Sequence, residues 1–209
     1  MTVRSSTAVH ALAAALREEV LSGRLAPGQP LREERLAARF EVSRHTVRAA
    51  LASLAAERLL VAEPYRGVRV SDFDEVQVRE LQQLRTALEC EAARLALDAG
   101  GLPSSEVDRA IDRLAEAERR GSDWIDVERA HAAVHQAIVD AAGSRRLSDT
   151  YRTLEGELAL LLLHTRTVFS SRDLAEEHRV LLREVEALGP EAIRSHIAES
   201  TTELLRSRA

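Results

Sequence analysis

From Asp74 to the C-terminus, apolar residues recur every three or four positions, and only short Gly, Pro and Ser clusters interrupt them: "AGGLPSS", "RRGSD", "AAGS", "FSSRD" and "LGP". That period belongs to amphipathic helices. It predicts helices at about 74–99, 104–120, 124–142, 145–167, 172–188 and 190–206. Short connections make sequential helices antiparallel neighbours, so the segment reads as a bundle. Ser104 or Ser105 can cap one helix, with Asp108 completing a capping box for Ser105, and Pro190 suits a first helical turn. Three Phe, two Tyr and one Trp in 209 residues favour a Leu/Ala helical core over a sandwich or barrel.

The first 71 residues are organised differently. "TAVHALAAALREEVLS" places Val9, Leu12, Leu16 and Val20 at helical spacing, with Thr7 as a candidate cap and Gly23 where a left-handed stop belongs. After a Pro27-Gly28 turn, a second helix is expected at about 33–40, with Leu36, Ala37 and Phe40 inward. A three-residue connection leads to a third helix, opened by Ser43 and running to about Arg58. Its core stripe is Val47, Ala50, Leu51 and Leu54, while Arg44, His45 and Arg48 lie on the other side, near the start. "LLVAEPYRGVRVSDF" then alternates through Val61, Val68 and Val70 around a Pro-Tyr-Arg-Gly turn, as a β-hairpin does. Taken alone, the third helix is equally an ordinary amphipathic helix with arginines on its solvated face. The combination matches a winged helix-turn-helix, whose recognition helix enters the major groove by its N-terminal turn.

The fold class is therefore mostly α: an N-terminal winged helix-turn-helix (three helices plus a β-hairpin) at 1–71 and an all-α antiparallel bundle at 72–209. Charge divides in the same place. The net charge of −5 combines 11 Arg against 7 acids up to residue 71 with 18 Arg against 27 acids after it. A basic module joined to an acidic one fits a polyanion partner for the first only. The single cysteine, Cys90, excludes an internal disulfide framework and a Cys-based zinc site, and reads as a small core residue in a reducing cytoplasm. No stretch reaches the roughly 20 apolar residues of a membrane span, and no cleavable leader pattern opens the chain, so a cytoplasmic protein with no membrane partner is expected.

"GRLAPGQPLREERLAARFEVSRHTVRAALASLAAERLLVAEPYRGVRV" resembles the DNA-binding module of GntR-type bacterial transcription regulators. The matching features are Pro27-Gly28, Leu36-Ala37, Val42-Ser43-Arg44, Arg48 with Ala50-Leu51, and Arg66-Gly67. The chain departs at His45-Thr46, where the family usually has Thr-Pro, and at Arg58, where it usually has Gly. The resemblance implies double-stranded DNA as partner, read by Ser43, Arg44, His45, Thr46 and Arg48 in the groove, with Arg32, Arg35, Arg66 and Gly67 on the backbone.

The bundle carries five of the seven histidines: His131, His135, His164, His178 and His196. His131 and His135 are four apart and share a helical face, and the last two helices can bring His178 and His196 to the same cavity. Spacing alone favours a hydrogen-bonded structural role for such a pair, and "HAAVH" lacks the glutamate of a zinc-protease motif. His164 reads as structural, and Trp124 as a packing residue at a helix start.

The bundle is similar to the FCD effector domain of the FadR-like GntR branch, through His131, His135, Ala142-Gly143, Glu177-His178, His196 and "RELQQLRTALECEAARLAL". That domain uses an Asp and three His to hold a divalent metal beneath a pocket for small carboxylates. Here the Asp position is His131, the preceding aromatic is Val134, Ser144 follows Ala142-Gly143 where Asn is usual, and the 178-to-196 spacing is about one turn short. The resemblance implies a metal site of His131, His135, His178 and His196. Four neutral imidazoles would leave the full charge of the ion and suit Zn²⁺, Ni²⁺ or Cu²⁺ over Mg²⁺ or Ca²⁺, with zinc or nickel expected. The same substitution fits a degraded site equally well. Arg85 is a candidate grip for an effector carboxylate, or a structural partner of Glu89 at i+4.

Together these readings predict a repressor-type regulator, a homodimer on a palindromic operator, sensing a small carboxylate through a bound divalent metal. Two rivals stand beside it. One is a constitutive DNA-binding dimer with a vestigial sensor site. The other is a metal-dependent hydrolase, for which the sequence offers no general base.

Overall fold

The computed structural model describes residues 3–63, 67–102, 105–164 and 173–206. The chain forms two compact units, Met1–Asp72 and Phe73–Ala209.

In the first unit, α1 (Val3–Leu21) packs on α3 (Arg44–Ala56), and α2 (Glu33–Phe40) packs on α3 beside it. Leu12, Leu16 and Val20 of α1 are buried with Val47, Ala50, Leu51 and Leu54 of α3. Each such side chain contributes about 1.5–3 kcal/mol of hydrophobic transfer energy. The expected Thr7 cap is replaced by a helix that already begins at Val3, while Gly23 does take a positive φ of 74°. Ser43 caps α3, its Oγ accepting the Thr46 N–H at 3.1 Å.

Both ends of the helix-turn-helix place a non-glycine residue in the left-handed region. Glu41 (φ 53°) closes α2, with the Val42 N–H donating to the Ala37 carbonyl. Arg58 (φ 55°) closes α3 in a Schellman arrangement: Arg58 N–H to Ala55 O and Leu59 N–H to Leu54 O, with Leu54 and Leu59 both buried. This position calls for glycine, and Arg58 occupies it. Ser71 Oγ donates to the Arg58 carbonyl at 2.6 Å and steadies the turn.

The hairpin forms from β2 (Leu60–Glu63) and β3 (Gly67–Val70), antiparallel with Leu60 opposite Val70 and Glu63 opposite Gly67. A third strand that periodicity did not reveal, β1 (Pro30–Leu31), pairs with β3 and gives the order β1-β3-β2. Two residues are too few for an alternating signal. Gly67 takes φ 86°, a conformation suited to glycine at the turn. Arg66, expected at the wing tip, lies outside the described residues.

The second unit consists, in its described residues, of α4 (Glu75–Asp98), α5 (Ser105–Arg119), α6 (Trp124–Asp140), α7 (Arg145–Arg152), α8 (Glu155–His164), α9 (Leu174–Leu188) and α10 (Pro190–Arg206). The helix expected at 145–167 divides at Thr153–Leu154 into α7 and α8, and its last three residues lie outside the described set. Asp74 caps α4 through a capping box with Gln77 rather than lying within the helix. Ser105 is the first residue of α5, and Ser104 lies outside the described residues. α10 packs along α4, α5 on α6, and α9 on both α5 and α10. These contacts direct α4, α6, α9 and α10 towards a common interior.

Candidate metal centre and nucleic-acid interface

Helical phase delivers the histidines. On α6, His131 and His135 follow the stripe that also buries Val134 and Ile138. His178 lies on the buried face of α9, and half-buried His196 sits on α10. The His135 Nε2 is 3.3 Å from His131 Nε2 and 3.0 Å from His178 Nε2. Ring centroids of His131, His135 and His178 lie 4.8–4.9 Å apart, and the His196 ring is 5.1 Å from His178 and 5.8 Å from His135. The structure thus brings together all four histidines singled out in the sequence.

The outer partners orient the rings. His178 Nδ1 is 2.7 Å from the Leu174 carbonyl, which only accepts, so Nδ1 carries the proton and Nε2 presents its lone pair. His135 Nδ1 is 3.0 Å from Glu89 Oε2, with the same consequence. A carboxylate or carbonyl behind each imidazole is the arrangement that turns histidine into a metal ligand. Burial first, then the neighbouring histidines and Arg85, push the His131 and His135 pKa values well below the ordinary 6.5, so both rings are neutral at pH 7. Tetrahedral nitrogen ligands about 2.0–2.1 Å from zinc stand roughly 3.3 Å from one another. The donor atoms of His131, His135 and His178, all within 4.8 Å of each other, fit a divalent transition metal.

Behind the histidines lies a buried ionic knot. Glu89, 0 % exposed, accepts from Arg85 Nε at 2.6 Å and from the Tyr151 hydroxyl at 2.6 Å, besides facing His135. Arg85, 4 % exposed, reaches His135 Nε2 at 2.8 Å through Nη2. Burial alone would pull the Arg85 pKa down, but the Glu89 charge and Tyr151 more than offset it, and the guanidinium stays charged. Burial and Glu89 push the Tyr151 pKa well up, so its hydroxyl keeps its proton. Of the two sequence readings of Arg85, the i,i+4 pair with Glu89 is the one formed. Tyr151 and the Leu174 carbonyl had no sequence signal. Glu89 had one: a carboxylate four residues from an arginine on the apolar face of α4.

Beside the histidines is a cavity of about 20 Å³, lined by Arg85, His131, Leu174, His178, His196 and, at its more exposed edge, Glu177, Glu199 and Ser200. Cys90 is buried and donates to the Pro190 carbonyl at 3.3 Å, as a core residue does. The His164 ring lies 6.1 Å from Phe73, away from the cluster.

In the first unit, Arg32, Arg35, Ser43, Arg44, His45, Arg48 and Gly67 are exposed. Arg48 pairs with Glu33 at 2.7 Å and Arg44 with Glu34 at 3.3 Å, which ties the recognition helix to α2. Thr46 corrects the sequence reading: it is 7 % exposed and its hydroxyl lies 2.8 Å from Ser43 Oγ, so it serves the helix cap rather than the groove face.

Residues 8–70 match the bacterial regulatory proteins of the gntR family, and residues 80–202 match the FCD domain. The chain is 33% identical over 204 residues to the HTH-type transcriptional regulator BphR of Paraburkholderia xenovorans, covering 91% of this chain and 78% of that protein. It is 32% identical over 184 residues, 86% of this chain and 81% of the relative, to a protein of Paenarthrobacter nicotinovorans named "Probable D-xylose utilization operon transcriptional repressor". A solved GntR regulator from Rhodococcus sp. RHA1 superposes with a TM-score of 0.77 over 94% of this chain and 97% of that one, at 24% identity, and so shares the fold. The chain belongs to the GntR family of bacterial regulatory proteins, with a winged helix followed by an FCD domain: it is a DNA-binding transcriptional regulator and not an enzyme.

Proposed function

We propose that this regulator is a cytoplasmic repressor that binds a palindromic operator as a homodimer, and that its FCD unit adjusts operator affinity through a divalent transition metal held by His131, His135, His178 and His196. Convergence of the His131, His135 and His178 ring nitrogens, with Glu89 behind His135 and the Leu174 carbonyl behind His178, is the observation that carries the reading. When bound, the ion would supply Lewis acidity towards a small anionic ligand such as a carboxylate. Zinc and nickel suit an all-imidazole set.

On the DNA side, Arg44, His45 and Arg48 occupy the exposed N-terminal half of α3, where base edges are read, and the Ser43 cap stands at the helix N-terminus, where phosphate is favoured. Arg32, Arg35, Gly67 and, outside the described residues, Arg66 are assigned to the sugar-phosphate backbone. The Glu33 and Glu34 partners of Arg48 and Arg44 are exposed enough to exchange for phosphate. The repressor sign follows the naming of the Paenarthrobacter relative.

Elemental analysis of untagged protein purified without chelator, with His135→Ala alongside, tests the metal assignment. About one zinc or nickel per chain, lost in the variant, is expected. Absence of uptake from any transition-metal salt would leave a DNA-binding dimer with no metal centre.

A further inference from the structure

The sensed molecule has to reach the histidines, and the structure limits what can do so. We propose that the signal is the transition-metal ion itself, arriving and leaving, rather than an organic carboxylate on a resident metal. This rests on the four-histidine centre proposed above and assigns its ligand class.

Three observations support it independently. The first is space. The cavity beside the histidines is about 20 Å³. About 10–15 Å³ is the room one water needs. An ion with one water fits; a carboxylate with a carbon skeleton needs several times that volume.

The second is the charge at the mouth. Its more exposed lining residues include Glu177 and Glu199, while Arg85, the one arginine lining it among the described residues, is buried and held by Glu89. Two carboxylates at an entrance raise the local concentration of cations and repel an incoming carboxylate. They also lie where they can balance the charge of an ion held by four neutral imidazoles.

The third is competition for one lone pair. Arg85 Nη2 stands 2.8 Å from His135 Nε2 and 3.0 Å from its Nδ1, and with the Nδ1–H donated to Glu89 the lone pair open to the guanidinium is that of Nε2. That same Nε2 faces His178 Nε2 at 3.0 Å and is the ligand atom for a metal. It can serve the guanidinium or an ion, not both. The ion-free and ion-loaded proteins therefore differ in a contact made by α4, independently of any organic ligand. A ligand shifts an equilibrium only through such a difference between states.

The experiment uses full-length protein stripped by chelation and a DNA fragment selected by the same protein from a random pool. Operator affinity is followed by fluorescence anisotropy during titration with Zn²⁺, Ni²⁺ or Cu²⁺ in carboxylate-free buffer. Site filling is read in parallel by competition with a chromophoric chelator. The expected result is a change in operator affinity of roughly 5-fold or more, with its midpoint at the filling midpoint. Acetate or glycolate added afterwards should change it less than about 2-fold, well below that coupling. His196→Ala, at the half-buried ligand, should keep the fold and lose the response. Glu177→Gln/Glu199→Gln should take up metal more slowly at low salt, with the difference closing as salt rises. Metal saturation that leaves operator affinity unchanged until a carboxylate is added would overturn the inference and leave the proposed function standing. Failure to take up any of the ions would overturn both.

Discussion

Glu89→Gln is the most informative single substitution in the FCD unit. The wild-type carboxylate is fully buried and serves three groups at once: Arg85 at 2.6 Å, Tyr151 at 2.6 Å and His135 at 3.0 Å. A glutamine offers one acceptor oxygen and no charge. Arg85 remains charged at every pH of interest and stays in a site that is 4 % exposed. Removing one member of a buried pair costs about 3–5 kcal/mol, against total stabilities of about 5–15 kcal/mol for a domain. His135 also loses the carboxylate that orients its ring, which lowers metal affinity roughly 10–100-fold. Urea unfolding should show the first loss, and chelator competition the second. The double variant Arg85→Met/Glu89→Gln separates them. It leaves no unpaired charge and should recover most of the stability, and its metal affinity should rise above that of Glu89→Gln because the Arg85 contact with His135 is gone as well. If Glu89→Gln unfolds within about 1 kcal/mol of wild type and binds metal as tightly, the knot does not support the centre and the reasoning fails.

Three other measurements follow from the structure. Arg58→Gly should stabilise the winged unit by about 1 kcal/mol, since a left-handed L-residue costs about 1–2 kcal/mol and glycine's freer unfolded chain returns only part of it; a lower melting temperature would contradict this. Burial pushes the Glu128 carboxyl up to about 7, with Glu155 adding to the shift and Arg129 opposing it, and its Oε1 has no hydrogen-bond partner among the described residues. Below the ordinary value of 4.5 both states are protonated. Between 4.5 and about 7 the unfolded chain gives up its proton first, so stability falls as pH rises, by up to about 3 kcal/mol. Glu128→Gln should abolish that slope and be the more stable protein at pH 8, and an unchanged slope would refute the assignment. Arg48→Ala should weaken operator binding by about 1–3 kcal/mol and relax the sequence preference at the base pair it reads; an unchanged preference would remove Arg48 from the base-reading set.

Particular residues show what the sequence could disclose. The stripe of α3, its Ser43 cap and the Gly23 stop were legible because each is a local signal with a local cause. Glu41 was not, since an ordinary residue in the left-handed region looks ordinary until its φ is known, and at Arg58 only the glycine usual in the family pointed to it. Thr46 was misplaced because periodicity assigns a residue to a face without saying what its hydroxyl will meet, and here it met Ser43. The break at Thr153–Leu154 is marked in the sequence only by Gly156, two residues on, which a continuous apolar period hides. The histidines were legible as types and spacings. Their convergence was expected from bundle geometry and the family resemblance, whereas the engagement of Glu89 with Tyr151 was not: these partners lie 62 positions apart, and nothing local links them.

The histidine cluster and the knot behind it meet at one residue, His135, and under the proposed function this sets how an ion would be felt at a distance. His131 and His135 belong to α6, His178 to α9 and His196 to α10, so an ion would bind three helices together. The fourth helix, α4, contributes no ligand. It contributes Arg85 and Glu89, one turn apart, and both touch His135. In the proposed centre Glu89 would favour metal binding by holding Nδ1–H, while Arg85 would oppose it through its contact with Nε2. The opposing group is the one that must give way, and it sits on a helix of 24 residues whose capping box at Asp74 directly follows the winged unit in the chain. A helix of that length is a rod of about 36 Å at 1.5 Å per residue. Displacement of Arg85 therefore acts on a stiff element joined covalently to the DNA-binding unit. The Arg85→Met/Glu89→Gln variant removes both the favouring and the opposing contact, so its operator affinity should no longer follow metal occupancy even where the ion still binds.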